Sequence, residues 1–296
     1  MSIILKNVSS SYAKKIKKNA VNKVCAGSRA GNDFLNIENT VINSKNEEGV
    51  MDGFILQDIS YEFETGKSLA VLGQNGSGKT TLLRTIAGLI SYEGEILIDG
   101  KDLRKMKREE IASKIGFFSQ IQDVNFSFSV YDTVMLGRYI YSKHGLKGPS
   151  KEDKEKVDEA LERTGLYQVK DRMIDELSGG QRQRVFLART FAQDTPFILL
   201  DEPTNHLDIK YQSQIMDYLK EWEEESERHT LIGVYHNIEI ACKTAENLIF
   251  LKDGKLLKSG KKKDVLSKEL LYNIYGVDVA AILEENYKAW ADLLKK

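Results

Sequence analysis

Short apolar segments recur along the chain, and their spacing predicts two kinds of sheet. Between residues 34 and 72, the segments FLNIENTVI, FILQDISYEF and KSLAVLG are separated by Gly, Asn and Glu, which is typical of a small antiparallel sheet. Further along, short apolar segments alternate with helical stretches: GEILIDG, KIGFFSQ, PFILLDE, TLIGVYH and NLIFLKDG. This alternation favours an α/β core built on a parallel sheet.

Two helices have clear sequence signals. In SKEDKEKVDEALERTG, Ser150 is placed to cap the helix, Asp153 occupies the capping-box position, and Gly165 follows the last turn. The stretch VAAILEENYKAWADLL puts several apolar residues on roughly one helical face: Val279, Ile282, Leu283, Trp290 and Leu294. We therefore predict a C-terminal helix within residues 277–296.

Residues 1–33 are rich in Lys, Ser and Asn. We interpret them as a basic N-terminal extension that is solvated and partly disordered, because such segments bury too little apolar surface to fold. Two alternatives stay open. In one, the lysines bunched at positions 14–18 contact anionic lipid. In the other, IILKNVSSSY is a first strand and is followed by an insertion.

Composition narrows the class of protein. The 296 residues carry a formal net charge of −1, so the overall charge does not favour nucleic acid as a partner. Cys25 and Cys242 are far apart and have no metal-like spacing, which fits a reducing compartment. No apolar run approaches the ~18 residues of a membrane span, and the N-terminus lacks the order of a secretory signal. We expect a cytosolic chain, in which any membrane role comes through a partner.

The stretch SLAVLGQNGSGKTTLLRTIAG predicts a phosphate-binding loop. It satisfies the pattern G-x-x-x-x-G-K-[ST], between an apolar strand and an amphipathic helix. Backbone N–H groups of such a loop point at a polyphosphate, and the lysine neutralises the β and γ phosphates. The Thr80 hydroxyl is placed to bind Mg²⁺. The predicted ATP-binding residues are Gly73, Asn75, Gly76, Ser77, Gly78, Lys79, Thr80 and Thr81.

Two acids follow the apolar strand of PFILLDE. Asp201 is expected to lie beside the phosphate loop and to hold Mg²⁺ together with Thr80. Glu202 comes next, and a second carboxylate at the tip of the strand can polarise the attacking water. We therefore predict ATP hydrolysis, with Glu202 and Lys79 among the catalytic residues.

The segment LSGGQ is a second anion-binding helix start. Ser178 and the N–H groups of Gly179 and Gly180 are expected to face a phosphate, with a helix dipole behind them, and Gln181 completes the segment. The first loop is sufficient to bind the phosphates of one ATP. The second phosphate-binding segment is explained if it contacts an ATP that another copy of the chain holds.

At this point the chain resembles the ATP-binding cassette family. The resemblance implies a P-loop NTPase core with a parallel sheet, an N-terminal antiparallel β-subdomain and an inserted α-helical signature subdomain at about 121–185. The whole nucleotide-binding domain would span 34–276. It also assigns three further residues: Gln120 reaches the metal and the water, Asp208 crosses the dimer interface, and His236 contacts the γ-phosphate. Two copies would close head to tail around two ATP molecules.

Two features depart from the family pattern. Asn237 follows His236, the switch histidine, at a position where the family commonly has Asp. Asn keeps the hydrogen-bonding shape of Asp but loses its charge, and we expect hydrolysis to survive. The adenine-stacking aromatic is the second departure. If FLNIENTVINS is the first strand, the stacking position lies near Asn43 or Ser44 and has no aromatic. Tyr12 fits if IILKNVSSSY is the first strand, and Phe54 is a third candidate; we favour an absent or substituted stacker.

The purpose of hydrolysis is inferred from the same resemblance. GRY, a short loop and P-S-x-x-D follow one another here as in subunits that power uptake of iron-siderophore complexes, haem and cobalamin. This implies an integral membrane permease, a substrate-binding protein that acts through it, and a peripheral position on the cytoplasmic face. In relatives, a cytoplasmic helix of the permease docks on the front edge of the helical subdomain. Four aromatic residues near that edge either form the docking groove or belong to the core of the subdomain: Phe126, Phe128, Tyr131 and Tyr139. The alternatives are an importer for another solute, an exporter component, or a soluble ATPase without a permease.

Overall fold

The computed structural model describes residues 1–11, 55–119, 128–141, 148–205 and 207–295. Within these ranges the strands are β1 (Ser2–Ser10), β2 (Leu56–Glu64), β3 (Leu69–Leu72), β4 (Tyr92–Ile98), β5 (Lys101–Asp102), β6 (Ile115–Ser119), β7 (Phe197–Asp201), β8 (Thr230–Val234), β9 (Asn247–Lys252) and β10 (Lys255–Lys261). The α-helices are α1 (Lys79–Ile86), α2 (Arg108–Ala112), α3 (Val130–Met135), α4 (Lys151–Arg163), α5 (Gly179–Ala192), α6 (Ile209–Glu224), α7 (Ile238–Thr244), α8 (Lys262–Val265), α9 (Lys268–Tyr275) and α10 (Val279–Leu294). None of the helices in these ranges combines the length and apolar character that crossing a bilayer requires.

The strands form two sheets. One has the order β2-β1-β4-β5, and its neighbouring strands run antiparallel. The other has the order β10-β9-β3-β8-β7-β6. Its strands run parallel from β9 to β6, and the hairpin of β9 and β10 is antiparallel. The predicted combination of a parallel α/β core with an antiparallel β-subdomain is therefore confirmed.

Burial explains why the central strands of the larger sheet are almost wholly apolar. All residues of β3, β7 and β8 are buried. Successive residues of β7 alternate between two hydrophobic clusters. Leu199 packs with residues of the antiparallel sheet, and Leu200 packs with residues of α4 and α5. A strand that is covered on both faces needs a continuous apolar sequence.

The structure corrects three predictions about strands. KSLAVLG, which we expected in the antiparallel sheet, contains β3, and β3 pairs parallel with β8 and β9. GEILIDG, which we expected in the parallel core, forms β4 and pairs antiparallel with β1. Ser2–Ser10, which we assigned to the extension at 1–33, form β1 between β2 and β4. Ile3, Leu5 and Val8 are almost completely buried there, and this burial offsets the entropy of ordering the segment. Of the three interpretations of the N-terminus, the structure supports the first strand.

Some predictions fall on residues that the structure does not describe. They include the rest of the predicted extension after Ser11, and the segment FLNIENTVI at the start of the predicted nucleotide-binding domain. The domain boundaries at 34, 121–185 and 276 stay predictions.

The predicted helix after Ser150 is confirmed. α4 begins at Lys151, and Ser150 and Asp153 form the reciprocal capping box. Gly165 follows its end with φ +64°. The C-terminal stretch is also helical: α10 packs against α9, and none of the residues of α10 is buried.

The aromatics near the predicted docking edge divide between the two interpretations. Tyr131 packs against the cluster formed by α3, α4 and α5, so it belongs to the core. Tyr139 is 77% exposed and is available to a partner. Phe128 is half-buried, and Phe126 lies outside the described residues.

Candidate nucleotide-binding and hydrolysis site

The phosphate loop, residues 73–78, joins β3 to α1. β3 lies between β8 and β9 in the parallel sheet, so the loop emerges from the centre of the carboxyl edge. Ligands of open α/β sheets bind at this edge. α1 starts at Lys79 with Gly78 as its N-cap and without a side-chain cap. Its first backbone N–H groups therefore remain open to an anion, as predicted.

Two of the loop glycines are required by the protein itself. A Cβ on Gly73 would lie 2.2 Å from the carbonyl oxygen of Leu251. A Cβ on Gly78 would lie 2.7 Å from Leu56 Cδ2, and φ there is +96°. Gly76, with φ +79°, has nothing within 4 Å of its Cβ position and borders open space. Gly76 is therefore the loop glycine at which the space for a Cβ is open to a phosphate.

Lys79 and Ser77 place polar groups inside the loop. Lys79 Nζ donates to the carbonyl oxygens of Gly73 at 3.0 Å and Gln74 at 2.9 Å. Burial lowers the pKa of Lys79, although Glu202 nearby acts in the opposite direction. The hydroxyl of Ser77 is buried and has no hydrogen-bond partner. An unpartnered buried hydroxyl and a buried ammonium are donors that fit a phosphate group.

The predicted metal-binding pair is assembled. Thr80 Oγ1 donates to Asp201 Oδ1 at 2.8 Å, across the gap between α1 and the end of β7. Asp201 is 8% exposed, and burial raises the pKa of its carboxyl group against the effect of the Thr80 bond. Two hard oxygens at this distance fit Mg²⁺. Ser119 pairs with Asp201 in the sheet, so the strand before Gln120 ends beside this acid; Gln120 itself lies outside the described residues.

Glu202 and His236 lie in contact. The Glu202 carboxylate is hydrogen-bonded to His236 Nε2 and to the side-chain amide of Asn205. Glu202 has φ +55°, a left-handed conformation that is uncommon for residues other than glycine. Its backbone N–H donates to Val234 O at 3.2 Å, which holds the turn after β7 against β8. Strained conformations of this kind cluster at active sites.

Asn237 has a structural role that explains the departure from the family pattern. It is the N-cap of α7, and its Oδ1 accepts from the backbone N–H groups of Glu239 at 2.7 Å and Ile240 at 3.2 Å. Asn and Asp are about equally good at this position, since each presents an oxygen to the open N–H groups. The substitution therefore keeps the helix that follows the switch histidine.

The signature segment, LSGGQ at Leu177–Gln181, spans the start of α5. Ser178 and Gln181 form a reciprocal capping box, with Gln181 N to Ser178 Oγ at 3.3 Å and Ser178 N to Gln181 Oε1 at 3.0 Å. Gly179 borders open space. A Cβ on Gly180, in contrast, would lie 2.9 Å from the ring of Tyr211. This glycine is needed for packing within the chain, whether or not its N–H also faces a phosphate.

Asp208 starts the helix that carries Tyr211. It is the N-cap of α6 and accepts from Tyr211 N at 3.0 Å. The residue that Asp208 caps, Tyr211, is thus also the residue that packs against Gly180 at the start of α5. Sequence reasoning missed Tyr211, although its position three residues after Asp208 is the one that an N-cap bonds.

Two other contacts of the site were not predicted. Asn205 contacts Glu202 through a turn, because it lies three residues further along the chain. Tyr275, at the end of α9, lies near the backbone of Gly73, and burial raises the pKa of its phenol group. Only the spacing of Asn205 is visible in the sequence, because Tyr275 reaches the loop through tertiary structure.

Both aromatic candidates for adenine stacking, Tyr12 and Phe54, lie outside the described residues. Their neighbours are close to the loop. Ile55 N donates to Ser10 O at 2.8 Å, and Leu56 lies against the Cβ position of Gly78. β1 therefore ends near the phosphate loop, which supports the interpretation in which Tyr12 follows the first strand.

Comparison of the sequence with known proteins agrees with the arrangement of this site. The family model described as "ABC transporter" matches residues 56–205. The chain belongs to the ABC transporter family. Among curated members, it is 38% identical to the petrobactin import ATP-binding protein FpuC of Bacillus anthracis, over 76% of this chain and 83% of that protein. It is 36% identical to the ferric enterobactin transport ATP-binding protein FepC of Escherichia coli strain K12, over 75% of this chain and 82% of that protein.

A solved member gives the same fold. The dimeric ATP-binding cassette MJ0796, in a post-hydrolysis state with ADP and phosphate, has a TM-score of 0.66 and 28% identity over 88% of this chain and 98% of that one. This ABC transporter chain is an ATPase that binds ATP. The predicted family, fold and reaction are confirmed.

Proposed function

We propose that this ABC ATPase is the energising subunit of an importer for metal chelates, of which iron-siderophore complexes, haem and cobalamin are examples. The names of two relatives carry this proposal, since they describe petrobactin import and ferric enterobactin transport. The subunit acts on the cytoplasmic face of the membrane, bound to a separate integral permease. A substrate-binding protein delivers the solute to that permease.

The residues of the first loop bind the nucleotide. Backbone N–H groups of 73–78 and the start of α1 surround the phosphates, and Ser77 donates to one of them. Lys79 neutralises the β and γ phosphates, and Thr81 follows Thr80 on the first turn of α1. Thr80 and Asp201, with Gln120, hold Mg²⁺, which when bound draws electron density from the phosphate oxygens.

Hydrolysis relies on the pair beside the metal-binding acid. Glu202 accepts a hydrogen bond from the attacking water and directs it toward the γ-phosphate. His236 and Asn205 fix the Glu202 carboxylate, as their contacts with it support. His236 also reaches the γ-phosphate.

A second copy of the chain completes each site. Ser178–Gln181 of one copy contact the ATP that the other copy holds, and Asp208 lies at the contact between copies. The dimeric state of the MJ0796 cassette supports this arrangement. Closure of the pair on ATP and reopening after hydrolysis would drive the permease.

Purification from native membranes tests the proposal. We expect the tagged chain, extracted in mild detergent, to retain a polytopic permease in stoichiometric amount. A Lys79→Ala variant should retain the same permease but fail to support uptake of a ⁵⁵Fe-labelled siderophore complex. Recovery of an active ATPase from the soluble fraction alone, without a permease, would favour the soluble ATPase instead.

A further inference from the structure

A buried ion pair lies away from the nucleotide, in the helical region before α5. Arg138, in the 3₁₀ segment Leu136–Tyr141, donates from Nε to Asp153 Oδ1 at 2.9 Å. Their side chains are 4% and 10% exposed. Burial opposes ionisation of Asp153, but hydrogen bonds from Ser150 and Arg138 outweigh it and lower the pKa of the carboxyl group. The pair is therefore ionised at neutral pH.

The same arginine reaches the C-terminal end of α5. Arg138 Nη1 donates to the carbonyl oxygen of Ala192, the last residue of that helix, at 2.9 Å. The Tyr141 ring lies against the guanidinium, and its hydroxyl donates to Gln193 O at 2.9 Å. The last carbonyls of a helix have no partner inside the helix. Two side chains of the helical region thus bind the groups that α5 leaves open.

The contact continues into the parallel sheet. Gln193 Nε2 donates to Ala112 O at 2.6 Å and to Ile115 O at 3.1 Å, where β6 begins. Gly137 permits the close approach, because a Cβ there would lie 2.3 Å from the carbonyl oxygen of Arg189.

We name the connected residues the Arg138 clamp: Gly137, Arg138, Tyr141, Asp153 and Gln193. The clamp joins the helical region, the end of α5 and the start of β6.

α5 links the clamp to the signature segment. Ser178–Gln181 lie at one end of this helix and the clamp at the other. The helix has 14 residues, so at ~1.5 Å per residue it is about 21 Å long. A rotation of about 3° at the clamp then moves Ser178 by about 1 Å, and a misplacement of about 1 Å can cost about 100-fold in rate.

We propose that Arg138 and Asp153 are positioning residues: the clamp sets the angle of α5 at which Ser178–Gln181 fit the ATP of a second copy. This rests on the two-copy arrangement of the proposed function, but not on import. The GRY and P-S-x-x-D segments therefore fix a helix. The arginine and the aspartate are buried and do not contact a permease or a solute, whereas Tyr139 of the first segment is exposed.

Two variants test the clamp in the purified full-length chain. Arg138→Lys keeps a positive charge beside Asp153. A lysine ammonium, however, lacks the planar guanidinium that bonds Asp153 and the Ala192 carbonyl at the same time. Tyr141→Phe removes the bond to Gln193 O and keeps the ring, so it is the milder change. Arg172→Lys is the matched control, because Arg172 is exposed in the same region. Thermal denaturation confirms that each variant is folded.

The readouts are the Kd for a fluorescent ATP analogue and the kcat of ATP hydrolysis. We expect kcat to fall about tenfold in Arg138→Lys and about threefold in Tyr141→Phe, with Kd within about twofold of the wild type, because the first loop is intact. The control should match the wild type. If Arg138→Lys does not fold, Tyr141→Phe decides.

Two results would overturn the clamp: an unchanged kcat in the folded variants, or a loss of ATP affinity that parallels the loss of kcat. The assay contains no permease, so its outcome is independent of the importer proposal. Failure to recover a permease from membranes would count against import and leave the clamp result standing.

Discussion

The cap on α7 makes a quantitative prediction about the residue after the switch histidine. Asn237 Oδ1 satisfies two open N–H groups of that helix, at 2.7 Å and 3.2 Å. Replacing an N-cap residue by Ala costs about 1 kcal/mol. For a chain of this size, that free energy corresponds to a decrease in Tm of about 2 °C. We therefore expect Asn237→Ala to be measurably less stable than the wild type.

Asn237→Asp tests the effect of a negative charge while the hydrogen bonds of the N-cap are kept. The carboxylate presents the same acceptors and lies at the positive end of the helix, an interaction worth about 0.3–1 kcal/mol. We expect this variant to be at least as stable as the wild type. Since His236 immediately precedes the cap, fraying of α7 in Asn237→Ala should also lower kcat, whereas Asn237→Asp should retain it.

Thermal denaturation followed by circular dichroism, together with ATPase kinetics, measures these effects. Asn286→Ala is a suitable control, since Asn286 is exposed in the middle of α10, where Ala is the better helix former. Its Tm should stay level or rise, opposite in sign to Asn237→Ala. An unchanged Tm in Asn237→Ala, or a lower Tm in Asn237→Asp than in Asn237→Ala, would refute the capping argument.

Three further predictions follow from the site and the core. Glu202→Gln should bind ATP normally but hydrolyse it at least about 100-fold more slowly, since it removes the group that accepts from the attacking water; single-turnover kinetics measure this, and retention of half the activity would exclude that role. Gly78→Ala should lose about 1–3 kcal/mol and the ATP-induced rise in Tm, because its Cβ meets Leu56 at 2.7 Å, whereas Gly100→Ala, with φ +77° but open space, should lose less. Burial raises the pKa of Tyr235 to about 12 from 10.0 in the unfolded chain, so stability should fall as pH rises from about 10 to 12, by up to about 1.4 kcal/mol per unit. Urea unfolding of Tyr235→Phe should lack this dependence.

The two sheets show which strands a sequence can assign. β7 and β8 are buried on both faces, so their apolar runs are continuous and predict a parallel core. In β4, burial is confined to the end of the strand and falls on Ile96 and Ile98, two residues apart. A single buried face is typical of antiparallel sheets, so the alternating pattern of GEILIDG indicated an antiparallel strand. Its position among helical stretches led us to assign it to the parallel sheet instead.

β1 was obscured for a different reason. Ile3 and Leu5 alternate with less buried residues, but the next buried apolar residue is Val8. The register of β1 shifts between Leu5 and Val8, and Asn7 has φ +51° there. Such a bulge moves the buried face from odd to even positions, so a search for strict alternation does not find the strand. Its pairing with β2, more than forty residues later, is a tertiary fact that local patterns do not contain.

Two glycines of the site have packing roles that affect how an inactive Gly→Ala variant is interpreted. The sequence motifs include Gly73 and Gly180, and the predicted chemistry assigned both of them to phosphate binding. In the structure, Gly73 is also required by Leu251 O, and Gly180 by the ring of Tyr211. An inactive Gly→Ala variant at either position is therefore not evidence of a phosphate contact, because misplacement of β9 or α6 would have the same result. A variant that is inactive at unchanged Tm would point to the nucleotide, whereas one whose Tm falls would point to packing.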